Sequence, residues 1–232
     1  MKRSTEREMM DLPGNPREVL EEDLKNLRIL NQYLGGYRCA ERGIAWIVQQ
    51  EKLTQFSLLD VGTGSADVAS RIVHWSRSKG IAVRIVALDL DPVTTGVAAR
   101  RANNLPEISV IRGDAAAPPF PAASFDFVLA SQFLHHFSEE KIVALLKTWA
   151  QLARRAIIVS DLVRHPLAYY GARALTRLFT KNIMTLTDAP LSVKRALTSA
   201  EWRELFRRAA IGQFDLVSVF PFRVMAQLDM QH

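Results

Sequence analysis

One aspartate and two glycines at alternate positions are the residues of this sequence with the clearest chemical character. Asp60, Gly62 and Gly64 follow a short apolar run at 58–59, which is typical of the end of a buried parallel strand. Apolar residues then recur at helical spacing, and a helix is expected to begin at 65–66. Because glycine lets the backbone approach closely and the N–H groups of a helix start point outward, this stretch predicts a ligand site.

The spacing of the small residues argues against two common nucleotide sites. A dinucleotide-binding turn needs a small residue at position 67, where Asp67 stands. A phosphate-binding P-loop ends in Gly-Lys-Ser or Gly-Lys-Thr, and no such ending follows Gly64. The negative charge of Asp60 suits instead a ligand with an ammonium or sulfonium group. An ordinary tight turn between a strand and a helix is the alternative.

Two further aspartates follow the next two predicted strands. Asp89 follows the strand at 83–88, and Asp114 follows the strand at 108–112. Ligands of open α/β sheets bind at the carboxyl ends of the strands, and a carboxylate after the second strand can hold the two hydroxyls of a ribose. The sequence therefore predicts three acidic groups along one edge of a sheet.

Four motifs in a fixed order resemble those of a known family. They are Asp60-Val-Gly62-Thr-Gly64, Asp89-Leu-Asp-Pro92, Gly113-Asp114-Ala115 and Ser124-Phe-Asp126-Phe-Val128. Together they resemble class I S-adenosylmethionine (SAM)-dependent methyltransferases, nearest to the small-molecule branch with the ubiquinone and menaquinone biosynthesis enzymes. The resemblance covers roughly residues 55 to 160. It departs at Ala66, where the family often has a third glycine, and we expect SAM binding to survive the added methyl group.

The resemblance implies a fold, a cofactor and a set of cofactor-binding residues. The expected fold is α/β, with a doubly wound, mostly parallel seven-stranded sheet, and the expected cofactor is SAM. The residues expected to bind it from the sheet edge are Asp60, Gly62, Thr63, Gly64, Asp89, Leu90, Asp114, Ala115 and Ser131. In the family, N-terminal helices cover the cofactor, so Asn31, Tyr37 and Arg38 are expected to close the site.

The chain is expected to divide into a cover and a catalytic domain. Residues 1–54 form the N-terminal tail and helical cover, in which 1–16 are predicted to be a mobile tail. Residues 55–232 form the methyltransferase domain. Within it, 164–196 have no place in the alternation of strands and helices, and are predicted to be a helical, substrate-covering insertion after the fifth strand.

Two adjacent histidines after the fourth strand invite a catalytic hypothesis. An imidazole at His135 or His136 titrates near neutral pH and can accept a hydroxyl proton. Asp161, at the end of the fifth strand, is a further candidate for a general base or a substrate contact. The alternative is that the histidines only shape the site by packing. Because adjacent side chains diverge, at most one histidine is expected to face the substrate. A metal site is not predicted, because no third ligand lies at a suitable spacing.

Aromatic residues are the candidates for contact with the acceptor. In the family, the segment that contains Phe133 faces the substrate. Tyr169 and Tyr170 lie in the insertion, where Tyr170 shares one helical face with Leu167 and Leu178. The functional hypothesis is a lid whose aromatic side contacts an apolar or aromatic acceptor. An ordinary amphipathic helix over the core is the alternative.

Composition limits the remaining possibilities. Hydrophobic residues make up 48% of 232, no run is long enough to span a membrane, and Cys39 is the single cysteine. No secretion signal is recognised, so a cytoplasmic protein is expected. The net charge is +6, and residues 154–223 hold 12 Lys and Arg against 5 Asp and Glu. This basic half is compatible with an anionic substrate, a carrier protein, weak contact with a membrane surface, RNA, or no partner.

The favoured function is SAM-dependent methylation of a small molecule, at a hydroxyl of an aromatic or polyketide-like metabolite. Carbon methylation of a quinone precursor is the nearest alternative. RNA methylation is not favoured, because no RNA-binding module accompanies the basic half and the base-amine signature Asn/Asp-Pro-Pro-aromatic is missing. A non-catalytic SAM-binding regulator is a further alternative. The sequence does not define the acceptor atom or the oligomeric state.

Overall fold

A seven-stranded sheet forms the centre of the molecule. The computed structural model describes residues 1–230. The strands are β1 (Gln55–Val61), β2 (Ala82–Asp89), β3 (Ile108–Arg112), β4 (Phe125–Ser131), β5 (Ala153–Leu162), β6 (Gly212–Val219) and β7 (Arg223–Met230). Their order is β3-β2-β1-β4-β5-β7-β6. The first five are parallel, and β7 runs antiparallel to both β5 and β6.

Helices cover both faces of this sheet. They are α1 (Arg17–Tyr33), α2 (Gly36–Gln50), α3 (Asp67–Ser78), α4 (Pro92–Ala102), α5 (Glu139–Leu152), α6 (Pro166–Phe179), α7 (Ile183–Arg195) and α8 (Ser199–Ala209). One apolar core joins the sheet to α5 and α8 around Trp149 and Trp202. The other joins it to α2, α3 and α4 around Ile44 and Ile72. The predicted doubly wound α/β fold is confirmed.

Local signals in the sequence set several helix starts. Pro92 opens α4, and the side chain of Asp91 accepts the N–H of Thr94 at 2.8 Å. Thr198 and Glu201 form the two reciprocal hydrogen bonds of a capping box at α8. These motifs satisfy N–H groups that have no partner within the helix.

The carboxyl ends of β1 and β4 lie side by side at the point where the strand order reverses. The chain leaves β1 towards β2 and leaves β4 towards β5, so a crevice opens between the two connections. Helices α1, α6 and α7 lie over this edge, and α1 and α7 contact each other. The predicted insertion at 164–196 is therefore two helices. The domain boundary at residue 54 stays a prediction, and Gln231 and His232 of the proposed domain lie outside the described residues.

The prediction of a mobile tail at 1–16 is wrong, because this segment is packed against α7. Glu8 is 1% exposed. The backbone N–H groups of Met9 and Met10 donate to the two carboxylate oxygens of Asp188 at 2.9 and 3.0 Å. The segment has no helical periodicity because a single 3-10 turn and extended backbone make these contacts.

Within residues 1–230, no helix has the length and apolar character needed to cross a membrane.

We predict that Asp188→Ala lowers the free energy of unfolding by about 2–3 kcal/mol, since two N–H groups lose a buried charged acceptor. Urea unfolding measures this loss, and faster tryptic cleavage after Arg3 and Arg7 reports release of the segment. Asp215→Ala is the matched control, because Asp215 is exposed on β6. Equal stability and equal cleavage of the two variants would contradict the packing role.

Candidate functional site

The turn after β1 is held open by backbone conformations that favour glycine. Gly62 and Gly64 have φ of +63° and +58°, a left-handed region that is costly for residues with a Cβ. A Cβ at Gly62 would lie 2.2 Å from the Phe133 ring, so the glycine makes room for this ring. Ala66 adopts φ of +54° at the start of α3. The alanine therefore occupies a position whose backbone conformation favours glycine.

A buried carboxylate lies beneath the turn. Asp60 is 1% exposed and accepts one hydrogen bond, from Thr63 Oγ1 at 2.6 Å. Burial raises the pKa of Asp60 to about 7, and the nearby charge of Asp67 adds to the rise. Asp67 Oδ2 and Ser131 Oγ are buried without a hydrogen-bond partner among residues 1–230. A cationic ligand with hydrogen-bond donors would satisfy these groups.

The second acidic residue ties the turn to β2. Asp89 Oδ2 accepts the N–H of Gly64 at 3.0 Å, and Oδ1 accepts the N–H of Asp91 at 3.1 Å. Burial raises the pKa of Asp89, and these two N–H groups oppose the rise. Leu90 is beside it and is 63% exposed. Asp114 is exposed at the end of β3, and Ala115 faces the core, where its carbonyl accepts the indole N–H of Trp149.

A cavity of about 350 Å³ lies between the glycine turn and the covering helices. The sheet contributes the ends of β1, β4 and β5, and α1, α6 and α7 form the other walls. The predicted residues that line it are Asn31, Asp60, Gly62, Thr63, Gly64, Ser131, His135 and His136. Asp89, Leu90, Asp114 and Ala115 lie outside its lining. Asp161 lies directly behind His135, to which it is hydrogen-bonded.

Two residues predicted to close the site from α2 do not line this cavity. The Tyr37 hydroxyl donates to the carbonyl of Arg28 at 3.0 Å, and the Arg71 guanidinium lies over its ring. Burial raises the pKa of Tyr37, and nearby Asp67 adds to the rise. Arg38 is exposed. Asn31 is the member of this set that reaches the cavity, because it lies on the inward stripe of α1.

The three aromatic residues predicted to contact the acceptor also lie outside the lining. Phe133 packs against Gly62, Phe137 and Trp149 instead. Tyr170 is 64% exposed, and Tyr169 contacts Tyr170 and the ammonium of Lys194. The predicted aromatic face of α6 points outward. Its inward face carries Ala168, Gly171, Ala172, Leu175 and Thr176.

The two histidines form a cluster with three carboxylates. Their rings stack at a centroid distance of 4.4 Å. His135 Nδ1 lies 2.6 Å from Asp161 Oδ1, and His136 Nδ1 lies 2.8 Å from Asp11 Oδ2. Both Nε2 atoms approach the carboxylate of Glu8, at 3.6 and 3.9 Å. Both histidines line the cavity, because a 3-10 turn at Leu134–His136 turns both rings to one side. The expectation that at most one of them faces the substrate stays a prediction.

Burial and neighbouring charge act in opposite directions on these carboxylates. Burial raises the pKa of Glu8 to about 7, although His136 and the Ser192 hydroxyl oppose the rise. Burial would also raise the pKa of Asp161, but the adjacent His135 outweighs it, and the pKa is lowered. Asp161 is therefore a charged partner that orients His135.

Sequence reasoning missed several polar residues of the cavity, among them Glu8, Gln132 and Arg223. Glu8 lies in the segment predicted to be mobile. Gln132 has φ of +52° and its side-chain amide donates to Asn31 Oδ1. Arg223 is 3% exposed, donates through Nε to the carbonyl of Leu34 at 2.7 Å, and keeps Nη1 without a partner among the described residues. Each has its partner about 100 or more residues away in the chain, so local spacing carries no signal for it.

The strand order, the glycine turn and the acidic groups at one sheet edge are those of the Rossmann-like methyltransferase fold. A family model described as "Methyltransferase domain" matches residues 58–156. The predicted resemblance to class I SAM-dependent methyltransferases is confirmed over these residues. No curated protein sequence matches the chain.

Solved structures show the same fold at low sequence identity. A SAM-dependent methyltransferase from Aquifex aeolicus aligns with a TM-score of 0.65 at 15% identity, over 94% of this chain and 100% of its own. Magnesium protoporphyrin IX methyltransferase from Synechocystis PCC 6803, with bound S-adenosylhomocysteine (SAH), aligns with a TM-score of 0.59 at 17% identity. The alignment covers 85% of this chain and 84% of that enzyme. Human N-acetylserotonin methyltransferase with SAM aligns with a TM-score of 0.64 at 18% identity, over 97% of this chain and 63% of its own.

We predict that Gly62→Ala is more harmful than Gly80→Ala. Gly80 has a similar φ, +67°, but a Cβ there has no neighbour within 4 Å, so its replacement reports backbone strain alone, about 1 kcal/mol. Gly62→Ala should lose roughly 1–3 kcal/mol more because the Phe133 ring must move. Urea unfolding of both variants measures the difference, and SAH calorimetry should show weaker binding for Gly62→Ala alone. Equal losses would contradict the role assigned to the ring.

Proposed function

We propose that this protein transfers the methyl group of SAM to a hydroxyl of a small apolar or aromatic molecule. The observation that carries the proposal is the cavity itself. It joins the glycine turn of a methyltransferase domain to an apolar wall on α6 and α7 and to a polar end at the histidine cluster. Pockets with mostly apolar walls and a few placed polar groups bind small molecules.

The cofactor half of the site follows from the strand ends. SAM is the cofactor, and its positively charged amino and sulfonium groups would lie near Asp60, Asp67 and Ser131. The unpartnered oxygens of Asp67 and Ser131 support this placement. The ribose hydroxyls would reach Asp89, whose carboxylate oxygens each hold one N–H and keep a lone pair. The adenine would then lie beside exposed Leu90, near Asp114 and Ala115.

The acceptor half is formed by the covering helices. Ala168, Gly171 and Ala172 leave room on the inward face of α6, and Leu175 adds apolar surface. His135 and His136 form the polar end, where the acceptor hydroxyl would be placed. The free Nη1 of Arg223 is available to a second oxygen of the acceptor.

Methyl transfer requires alignment and exclusion of water more than it requires covalent catalysis. The acceptor oxygen attacks the methyl carbon in line with the carbon–sulfur bond, the carbon–oxygen bond forms, and SAH leaves with the electron pair of the broken bond. The hydroxyl proton would pass to Nε2 of an imidazole at the polar end of the cavity, either His135, which Asp161 holds in one orientation, or His136. The covering helices contribute by excluding water and fixing the approach.

We predict that the affinity for SAM, relative to SAH, rises between about pH 6 and 8. SAM differs from SAH by the sulfonium charge, and that charge favours ionised Asp60, whose pKa is about 7 without ligand. The complex therefore binds fewer protons, and binding strengthens until Asp60 is ionised in the free protein. Calorimetry with both ligands measures the ratio, and in Asp60→Asn it should no longer change with pH. A ratio independent of pH in the native protein would place the sulfonium elsewhere.

We predict that Ala172→Phe raises the KM for the acceptor at least tenfold and leaves SAH affinity within twofold. The phenyl ring would occupy the part of the cavity next to α6, where the acceptor is proposed to bind. Ala174→Phe is the matched control, since Ala174 is exposed on the same helix. The assay is transfer of labelled methyl from SAM to a panel of phenols, hydroxylated polyketides and quinone precursors. Tight SAM binding without transfer to any of them would favour a non-catalytic SAM-binding regulator. A product that carries the labelled methyl group on a carbon atom would favour carbon methylation.

A further inference from the structure

We propose that Glu8, His135 and His136 form a site for a zinc ion that faces the cavity. The proposal stands on the geometry of these side chains and does not depend on methyl transfer. Local spacing does not predict this site, because two adjacent histidines offer two ligands and the third comes from a segment 127 residues earlier in the chain.

The three ligand groups already converge. Glu8 Oε1 lies 3.6 Å from His135 Nε2, and Glu8 Oε2 lies 3.9 Å from His136 Nε2. The ligand atoms of the three residues all lie within 4.8 Å of one another. Tetrahedral zinc with bonds of about 2.0 Å holds its ligand atoms roughly 3.3 Å apart. The upper limit of 4.8 Å exceeds this separation by about 1.5 Å, so side-chain movements of about an ångström would close the site.

The outer contacts are those that a zinc-binding histidine requires. Asp161 and Asp11 accept from the Nδ1 atoms of His135 and His136 at 2.6 and 2.8 Å. A donated Nδ1–H fixes the tautomer in which Nε2 presents its lone pair, and ligating histidines almost always have such a partner. Both imidazoles of this cluster have one. The Ser192 hydroxyl donates to Glu8 Oε2 at 2.8 Å and fixes the carboxylate.

The burial of Glu8 is a second observation that supports a metal ligand at this position. Glu8 is 1% exposed, and its Oε1 has no hydrogen-bond partner among residues 1–230. Buried carboxylates are costly unless they are paired or bind a metal. The guanidinium of Arg195 is near, with Nε 3.5 Å from Oε1, but Arg195 donates to the carbonyls of His135, His136 and Glu6.

The charge around the cluster also favours a divalent cation. Four carboxylates surround the two imidazoles, those of Glu8, Asp11, Asp161 and Asp188. Two guanidinium groups oppose them, Arg195 and Arg3, and Arg3 donates to the carbonyls of Arg195, His135 and Phe137. The carboxylates of this largely buried cluster therefore outnumber its guanidinium groups.

The ligand set selects zinc over magnesium or calcium. Two imidazoles and one carboxylate suit a borderline-soft divalent ion, whereas the hard cations prefer oxygen ligands. Three protein ligands leave a fourth tetrahedral position, as in catalytic zinc sites. Because all three residues line the cavity, that position would face it and take an oxygen donor, the class of ligand expected of a hydroxylated small molecule.

The test measures zinc in the full-length protein without a polyhistidine tag and without SAM or acceptor. After dialysis against metal-free buffer, elemental analysis should find about one zinc per chain. Cobalt exchanged for zinc should give the intense visible absorption of a tetrahedral site. His136→Gln should lose zinc affinity at least tenfold, and Asp11→Asn by roughly 10–100-fold, as expected when the partner of a ligating histidine is removed.

His74→Gln is the matched control, since His74 is exposed on α3, and it should retain zinc as the native protein does. Asp11 is partly exposed and touches no proposed ligand atom except through His136, so Asp11→Asn tests the site even if Glu8→Gln fails to fold. Zinc content no greater in the native protein than in His136→Gln, or equal affinity in all variants, would overturn the site. A protein that transfers no methyl group, either with zinc bound or after its removal, would leave the site established and refute the proposed function alone.

Discussion

The burial of Asp60 is the constraint on which the cofactor side of this structure depends. This carboxylate lies at the end of a central strand and cannot reach water. Among residues 1–230, its one hydrogen-bond partner is the hydroxyl of Thr63. That hydrogen bond from Thr63 draws the turn over the carboxylate. The N–H of Thr63 then reaches the carbonyl of Leu88 at 3.1 Å, and the N–H of Gly64 reaches Asp89. The turn is thus preorganised by contacts between neighbouring strand ends, and the raised pKa of Asp60 makes it responsive to a cation.

Polar side chains join α1 of the N-terminal cover to α7 of the insertion, and they give this contact a specific geometry. Thr185 Oγ1 donates to Asp23 Oδ1 at 2.6 Å and accepts from Asn26 Nδ2 at 3.0 Å. Asn182 caps α7 and also donates to the carbonyl of Val19 at 2.9 Å. Burial raises the pKa of Asp23 to about 6. These hydrogen bonds form only when the helices are correctly aligned, so α1 and α7 can pair in few registers.

The sequence predicted the framework well because periodicity and turn chemistry are local. The strand at Ile108–Arg112, the start of α4 at Pro92 and the capping box at Thr198 all follow from neighbours in the chain. The inward face of α6 was predicted wrongly, because that helix is apolar on several sides and small residues carry no strong pattern.

The polar end of the cavity could be predicted only in part. His135, His136 and Asp161 are candidates in the sequence, but Glu8 and Arg195 meet the histidines only in the fold. Arg195, at the end of α7, shows why. Its guanidinium binds the carbonyls of Glu6, His135 and His136, while its own carbonyl accepts from Arg3 at 2.7 Å. One side chain thus fixes the N-terminal segment and the histidine turn against the helix whose other residues form the cavity wall. A change in α7 would alter the shape of the cavity and the spacing of Glu8 from the histidines together, so the apolar wall and the polar end form one structural unit.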